Sequence, residues 1–144
     1  MNDDAVFDLY NRTLMTLARG AEGSARLPGA AFSARAVSPV CGSEVTLDFT
    51  IVDGRVSSVG YAVDACALTR AVVAVLKIAA IGKTPAEVLA AGQHLAIMLD
   101  GGNAPDGDWG DLAVLLPVRD YKARHDSVLL PFMAAEKAFK NSVA

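Results

Sequence analysis

Only two cysteines occur in the sequence, Cys41 and Cys66, too few for a disulfide framework, so the fold has to be held by burial of apolar side chains. No apolar run is long enough to cross a bilayer. The longest, Cys66 to Ile81, is broken by Arg70 and Lys77 and falls short of the roughly 20 residues needed, so it reads as a core helix and not as a membrane span. There is no basic stripe to follow a phosphate backbone: acidic and basic residues are interspersed at a formal charge of -3, and nucleic acid is not an expected partner. The N-terminus lacks the positive charge and apolar run of a secretory signal, opening instead with Asn2, Asp3 and Asp4, from which a cytoplasmic location is expected. Internal repeats and low-complexity tracts are also absent.

What is present suffices for one core. At 144 residues and 53% hydrophobic content, a single domain spanning residues 1–144 is the expectation. Phe7, Tyr10, Leu14 and Leu17 recur at helical spacing behind Asp3 and Asp4, with Gly20 to end the segment. Small residues, Gly and Pro from Ala21 to Ala30 predict a loop. A strand over 31–37 follows, and then Val45, Leu47, Phe49 and Ile51 alternate with Thr46, Asp48 and Thr50 in the two-residue period of a half-buried strand. Asp53-Gly54 favours a type I′ turn, returning Arg55 to Val63 as the antiparallel partner.

After Cys66 the period becomes helical, with Leu68, Val72, Val75 and Ala79 on one face and Gly82 as the stop. Thr84, Pro85 and Glu87 form a capping-box pattern with proline at the first helical position, starting a helix that runs to about Leu99. Residues 100–110 read as a loop anchored by Trp109, and Asp111 to Leu116 as a short helix. Leu129, Leu130, Met133, Ala134 and Phe139 mark a C-terminal helix, with Asp126 or Ser127 as N-cap and Pro131 in its first turn. The order predicts an α+β domain: a small antiparallel three-stranded sheet with helices packed on one face.

The chemistry concentrates at element boundaries. Cys41 precedes the second strand, and Cys66 stands where the hairpin ends and a helix begins, a position that favours the thiolate, the form that binds metal or attacks sulfur. The 25-position spacing matches no dense zinc pattern, and free cysteine is often simply buried, so spacing leaves ligand and core readings open. His125 is equally open between a metal ligand and a solvated residue ahead of a helix. Asp126 and Ser127 are accounted for by capping.

Several segments together resemble the NifU-like scaffold family of iron-sulfur cluster assembly, in particular its SufU-type branch, over nearly the whole chain. Asp8-Leu9-Tyr10 resembles the family's early helix, and Ser38-Pro39-Val40-Cys41-Gly42-Ser43 its Asn-Pro-x-Cys-Gly-Asp loop. Ala65-Cys66-Ala67-Leu68 is similar to its Gly-Cys-x-Ile segment, and the stretch from Gly82-Lys83-Thr84 onward to the SufU-type insertion. Val118 to Phe132 looks like the stretch in which an arginine precedes the third cysteine by three positions and a Leu-Pro-aromatic follows; Arg124, Leu130, Pro131 and Phe132 match.

The resemblance implies an IscU/SufE-like fold and a non-enzymatic scaffold. Its cysteine ligands would be Cys41 and Cys66, holding iron, an iron-sulfur cluster or zinc. Ser43 stands where the family has aspartate and Ser127 where it has the third cysteine, leaving Ser127, His125 or Asp126 to complete the set, with Ser43 and Arg124 in support. A neutral serine hydroxyl is a poor ligand beside a thiolate. The implied partners are a cysteine desulfurase or other cluster-assembly proteins, with Cys66 as a persulfide acceptor. The alternative is a paralogue that keeps the fold and partner surface as an adaptor without metal.

Overall fold

The computed structural model of the chain describes residues 12–39 and 42–141. The helix expected at the N-terminus appears as α1, helical over residues 12–18 and closed by a 3-10 turn at Arg19–Ala21; Phe7, Asp8, Leu9 and Tyr10 lie outside the described residues. The strands are β1 (Ser24–Ala25), β2 (Phe32–Val37), β3 (Glu44–Val52) and β4 (Arg55–Asp64), and the later helices α2 (Ala67–Ala79), α3 (Pro85–Leu99) and α4 (His125–Asn141).

The sheet has four strands, not three, in the antiparallel order β1-β4-β3-β2. The additional strand, β1, pairs Ser24 with Ala62 and Ala25 with Tyr61, inside the segment expected to be loop. Two residues are too short to display a strand period, so β1 exists through its partner and not through its own pattern. The β3–β4 hairpin closes through Asp53 (φ 52°) and Gly54 (φ 79°), the two positive values that a type I′ turn requires.

Alternation in the strands sets the two faces. Ala34, Ala36, Val45, Leu47 and Phe49 are buried beneath α4, where the Phe49 and Phe139 rings lie 4.6 Å apart. Burying each of the larger side chains contributes about 1.5–3 kcal/mol. On β4, Tyr61 turns its ring toward α2, whose Lys77 ammonium sits 5.0 Å above the ring centroid. The opposite face carries Arg35, Thr46 and Thr50, with one inversion of the expected pattern. Asp48, which alternation assigns to solvent, is 0% exposed because residues 26–27 fold over it. Arg26 Nε and Nη2 donate to its two carboxylate oxygens at 2.7 and 3.0 Å, joined by Leu27 N–H at 3.0 Å and the Ser33 hydroxyl at 2.6 Å. Gly60 faces the same cluster, and a Cβ there would lie 2.6 Å from Leu27 N.

α3 starts on the expected capping box: Thr84 Oγ1 accepts from Glu87 N–H while the Glu87 carboxylate accepts from Thr84 N–H. Gly92 lets α3 approach Phe132 of α4, whose ring in turn meets Trp109 at 5.8 Å. The short helix expected at Asp111–Leu116 is part of a longer run of 3-10 turns, Gly107–Asp120, tied to the end of α3 by Arg119, which donates to the Met98 and Gly102 carbonyls at 2.9 and 2.7 Å. After a 3-10 turn at Lys122–Arg124, α4 begins at His125. Asp126 and Ser127 therefore lie in its first turn and not ahead of it, and Pro131 is the seventh residue of the helix instead of belonging to its first turn.

Candidate functional site

Sheet register brings one end of the molecule into focus. Val37 closes β2 opposite Glu44, and Glu44 opens β3 opposite Asp64, the last residue of β4. The β2–β3 connection and the exit of β4 toward Cys66 are thus at the same end of the sheet. The described part of that connection is a tight loop: Ser38 N–H donates to Ser43 O at 2.8 Å, Gly42 N–H donates to Ser38 O at 2.9 Å, and Gly42 holds φ 73°. Cys41 belongs to this connection but lies outside the described residues. Ser43 is buried, and so is Ser38, whose hydroxyl has no hydrogen-bond partner among the described residues.

Cys66 is the N-cap residue of α2, in extended conformation (φ −68°, ψ 169°), with its carbonyl accepting the first helical bond from Arg70 N–H at 3.1 Å. Its side chain makes no capping bond and is exposed, so the thiol stands clear of the helix at its positive end. The neighbour of the sulfur is Thr69, 0% exposed, with Oγ1 3.7 Å from Sγ. The same hydroxyl donates to the Ser127 carbonyl at 2.8 Å, which ties the start of α4 to Cys66. The Ser127 carbonyl is therefore one hydroxyl away from the Cys66 sulfur, although the Ser127 residue itself is only 7% exposed.

Beside Cys66 opens a cavity of about 260 Å³ lined by Leu14, Leu68, Pro117, Val118, Tyr121 and Arg124. Its walls are mostly apolar. Arg124, exposed, has no carboxylate partner among the described residues and brings its guanidinium to the same cleft as the thiol.

His125 is half-buried and already engaged. Its Nε2 lies 3.1 Å from Val118 O and 3.0 Å from Arg119 O, and two carbonyl oxygens can only accept, so Nε2 carries the proton. A neutral ring then has its lone pair on Nδ1, the one nitrogen with which it could meet a metal. Asp126 is exposed in the first turn of α4, where the helix dipole favours a carboxylate. Among the described residues no group of three or more His, Cys, Asp or Glu side chains comes together. Among the described residues the thiol is that of Cys66, which is exposed, and Ser127 is buried.

Thr69 and Tyr121 are the site residues that sequence reasoning did not pick out. The signal for Thr69 was Pro131, which stands four positions after Ser127 and cannot supply the N–H that a helix would give to that carbonyl.

Comparison with known proteins gives the arrangement a context. The chain is similar to a nitrogen-fixing NifU-like protein (N-terminal) from Brucella abortus, at 36% identity and TM-score 0.87, covering 95% of this chain and 96% of that one. It is similar as well to a putative iron-sulfur cluster assembly scaffold protein for the SUF system from Fervidobacterium islandicum AW-1, at 25% identity and TM-score 0.79, over 88% of this chain and 93% of that one. A hypothetical protein at 22% identity and TM-score 0.82, over 92% and 98% of the two chains, shares the fold. No family model matches the sequence, and no curated protein matches it either.

Proposed function

Since the chain belongs to the NifU-like family, we propose that it is a scaffold-like protein of iron-sulfur cluster assembly, not an enzyme, holding iron, a nascent cluster or zinc through Cys66 and Cys41. The observation that carries the reading is the shared end of the sheet. Val37, Glu44 and Asp64 are successive register partners, so the segments leading to both cysteines leave the sheet side by side. Cys66 is exposed at a helix N-terminus there, and α4 delivers residue 127 to the same place. Two thiolates are fewer than the four protein ligands that clusters usually take, so the bound species is labile and is completed by His125 Nδ1, Asp126, or a ligand from a partner. A cysteine desulfurase or another assembly factor is the natural partner, with Cys66 accepting sulfur. The whole chain, residues 1–144, acts as one domain.

Anaerobic reconstitution with iron and sulfide tests this. Visible absorption should develop in the native chain and be lost in Cys41→Ser and in Cys66→Ser, and a native chain that stays colourless would count against the reading.

One observation favours a second reading. The position that the resemblance aligns with the third cysteine holds a buried serine, which suits an adaptor that keeps the partner surface without metal. Undiminished binding of a cysteine desulfurase by a Cys41→Ser/Cys66→Ser variant would favour the adaptor, and loss of that binding the scaffold.

A further inference from the structure

We propose that Thr69 and Pro131 are positioning residues that together fix the direction of the Cys66 thiol at the edge of the cleft. The proposal deepens the scaffold reading and takes its significance from it, because Cys66 is the sulfur of that site. It follows from counting protons. A threonine hydroxyl has one proton to give and two lone pairs. Thr69 Oγ1 stands 2.8 Å from the Ser127 carbonyl oxygen and 3.7 Å from Cys66 Sγ. The carbonyl can only accept, so the Thr69 proton is committed to it. A lone pair is left facing the sulfur, and at that contact the thiol is the donor. The chain runs in one direction, from Cys66 S–H to Thr69 Oγ1 and from Thr69 O–H to the carbonyl of Ser127.

The carbonyl is available because of Pro131. Inside a helix the carbonyl of residue 127 is normally taken by the N–H of residue 131, and proline has none. The buried Thr69 hydroxyl, arriving from α2, takes its place. A missing helical bond in α4 is thereby converted into a contact between helices whose far end is the thiol. Since the sulfur makes no capping bond to α2, this contact is what gives it a preferred direction.

The test uses the full-length reduced chain without metal, by nuclear magnetic resonance. In the native protein the two Hα–Hβ couplings of Cys66 should differ severalfold, as in a single rotamer, and the Thr69 hydroxyl proton should be slow to exchange with water. Thr69→Val should bring the two couplings together, and Thr69→Ser should keep them apart. Pro131→Ala, which supplies a competing N–H, should also bring them together without lowering Tm, a combination that a purely structural proline would not give. Where Thr69→Val does not fold, the native hydroxyl proton and Pro131→Ala carry the test. Equal couplings or a rapidly exchanging hydroxyl in the native chain, or unequal couplings retained in both Thr69→Val and Pro131→Ala, would overturn the proposal. None of these readouts involves metal. A chain that binds none ends the scaffold reading and leaves this one standing, while averaged native couplings do the reverse.

Discussion

Replacing Asp48 by asparagine should destabilise the fold by about 3 kcal/mol at neutral pH, and the loss should shrink in acid. The carboxylate is fully buried and accepts four hydrogen bonds, two from Arg26 and one each from Leu27 N–H and the Ser33 hydroxyl. An amide keeps one acceptor oxygen and turns an NH₂ group toward donors, so at least two bonds are lost, each worth about 1.5–3 kcal/mol when one partner is charged. Part of this is recovered because the Arg26 side chain is 49% exposed and can turn to water. The remainder is about 3 kcal/mol, at the lower edge of what breaking a buried pair costs. In a chain of this size that is a fall in Tm of about 6–12 °C. The pH dependence has a definite sign. Burial alone would raise the Asp48 pKa, but hydrogen bonds from Arg26, Ser33 and Leu27 outweigh it and hold the carboxyl below its ordinary value. A depressed folded-state pKa means that the stabilisation is complete above the unfolded value of about 3.9 and is lost as pH falls through the folded one. Urea denaturation of both proteins at neutral pH and at about pH 3 reads this directly. A variant within about 1 kcal/mol of the native chain at neutral pH, or an equal deficit at both, would mean that the ionised Asp48 carboxylate does not hold residues 26–27 in place.

Two glycines give further tests. Gly60→Ala would put a Cβ 2.6 Å from Leu27 N and 2.9 Å from Asp48 Oδ2, groups that cannot withdraw without breaking the cluster, so Tm should fall clearly. Gly92→Ala should also lower Tm although alanine is the better helix former by about 1 kcal/mol, because the new Cβ would meet Phe132 Cγ at 2.8 Å; a rise in Tm would show that propensity wins. At the cleft, a carboxylate-bearing aromatic disulfide should react with Cys66 in a Cys41→Ser background several times faster than a cationic one at low salt. That preference should fade in Arg124→Ala and as added salt screens the guanidinium.

Local chemistry made much of this architecture legible. The capping box at Thr84, the Asp53-Gly54 turn and the alternation from Val45 to Ile51 each specify their structure within a few residues, and each formed as expected, apart from the buried side chain of Asp48. Features that depend on distant partners were hidden. β1 is recruited by β4 across 38 positions at Ser24 and Ala62, and Asp48 reads as a surface residue until Arg26 and Leu27 close over it. At the candidate site, helix periodicity put Cys66 at the start of α2, and only the family resemblance singled out position 127. That the two meet through Thr69 depends on how α2 packs on α4, which no pattern local to either helix reports.

Metal content of the full chain purified without oxygen separates a scaffold from an adaptor. Scaffolding through the two cysteines predicts iron or zinc at up to one site per chain in the native protein, absent from Cys41→Ser and from Cys66→Ser. A native chain free of both metals, or metal retained by both variants, would contradict it.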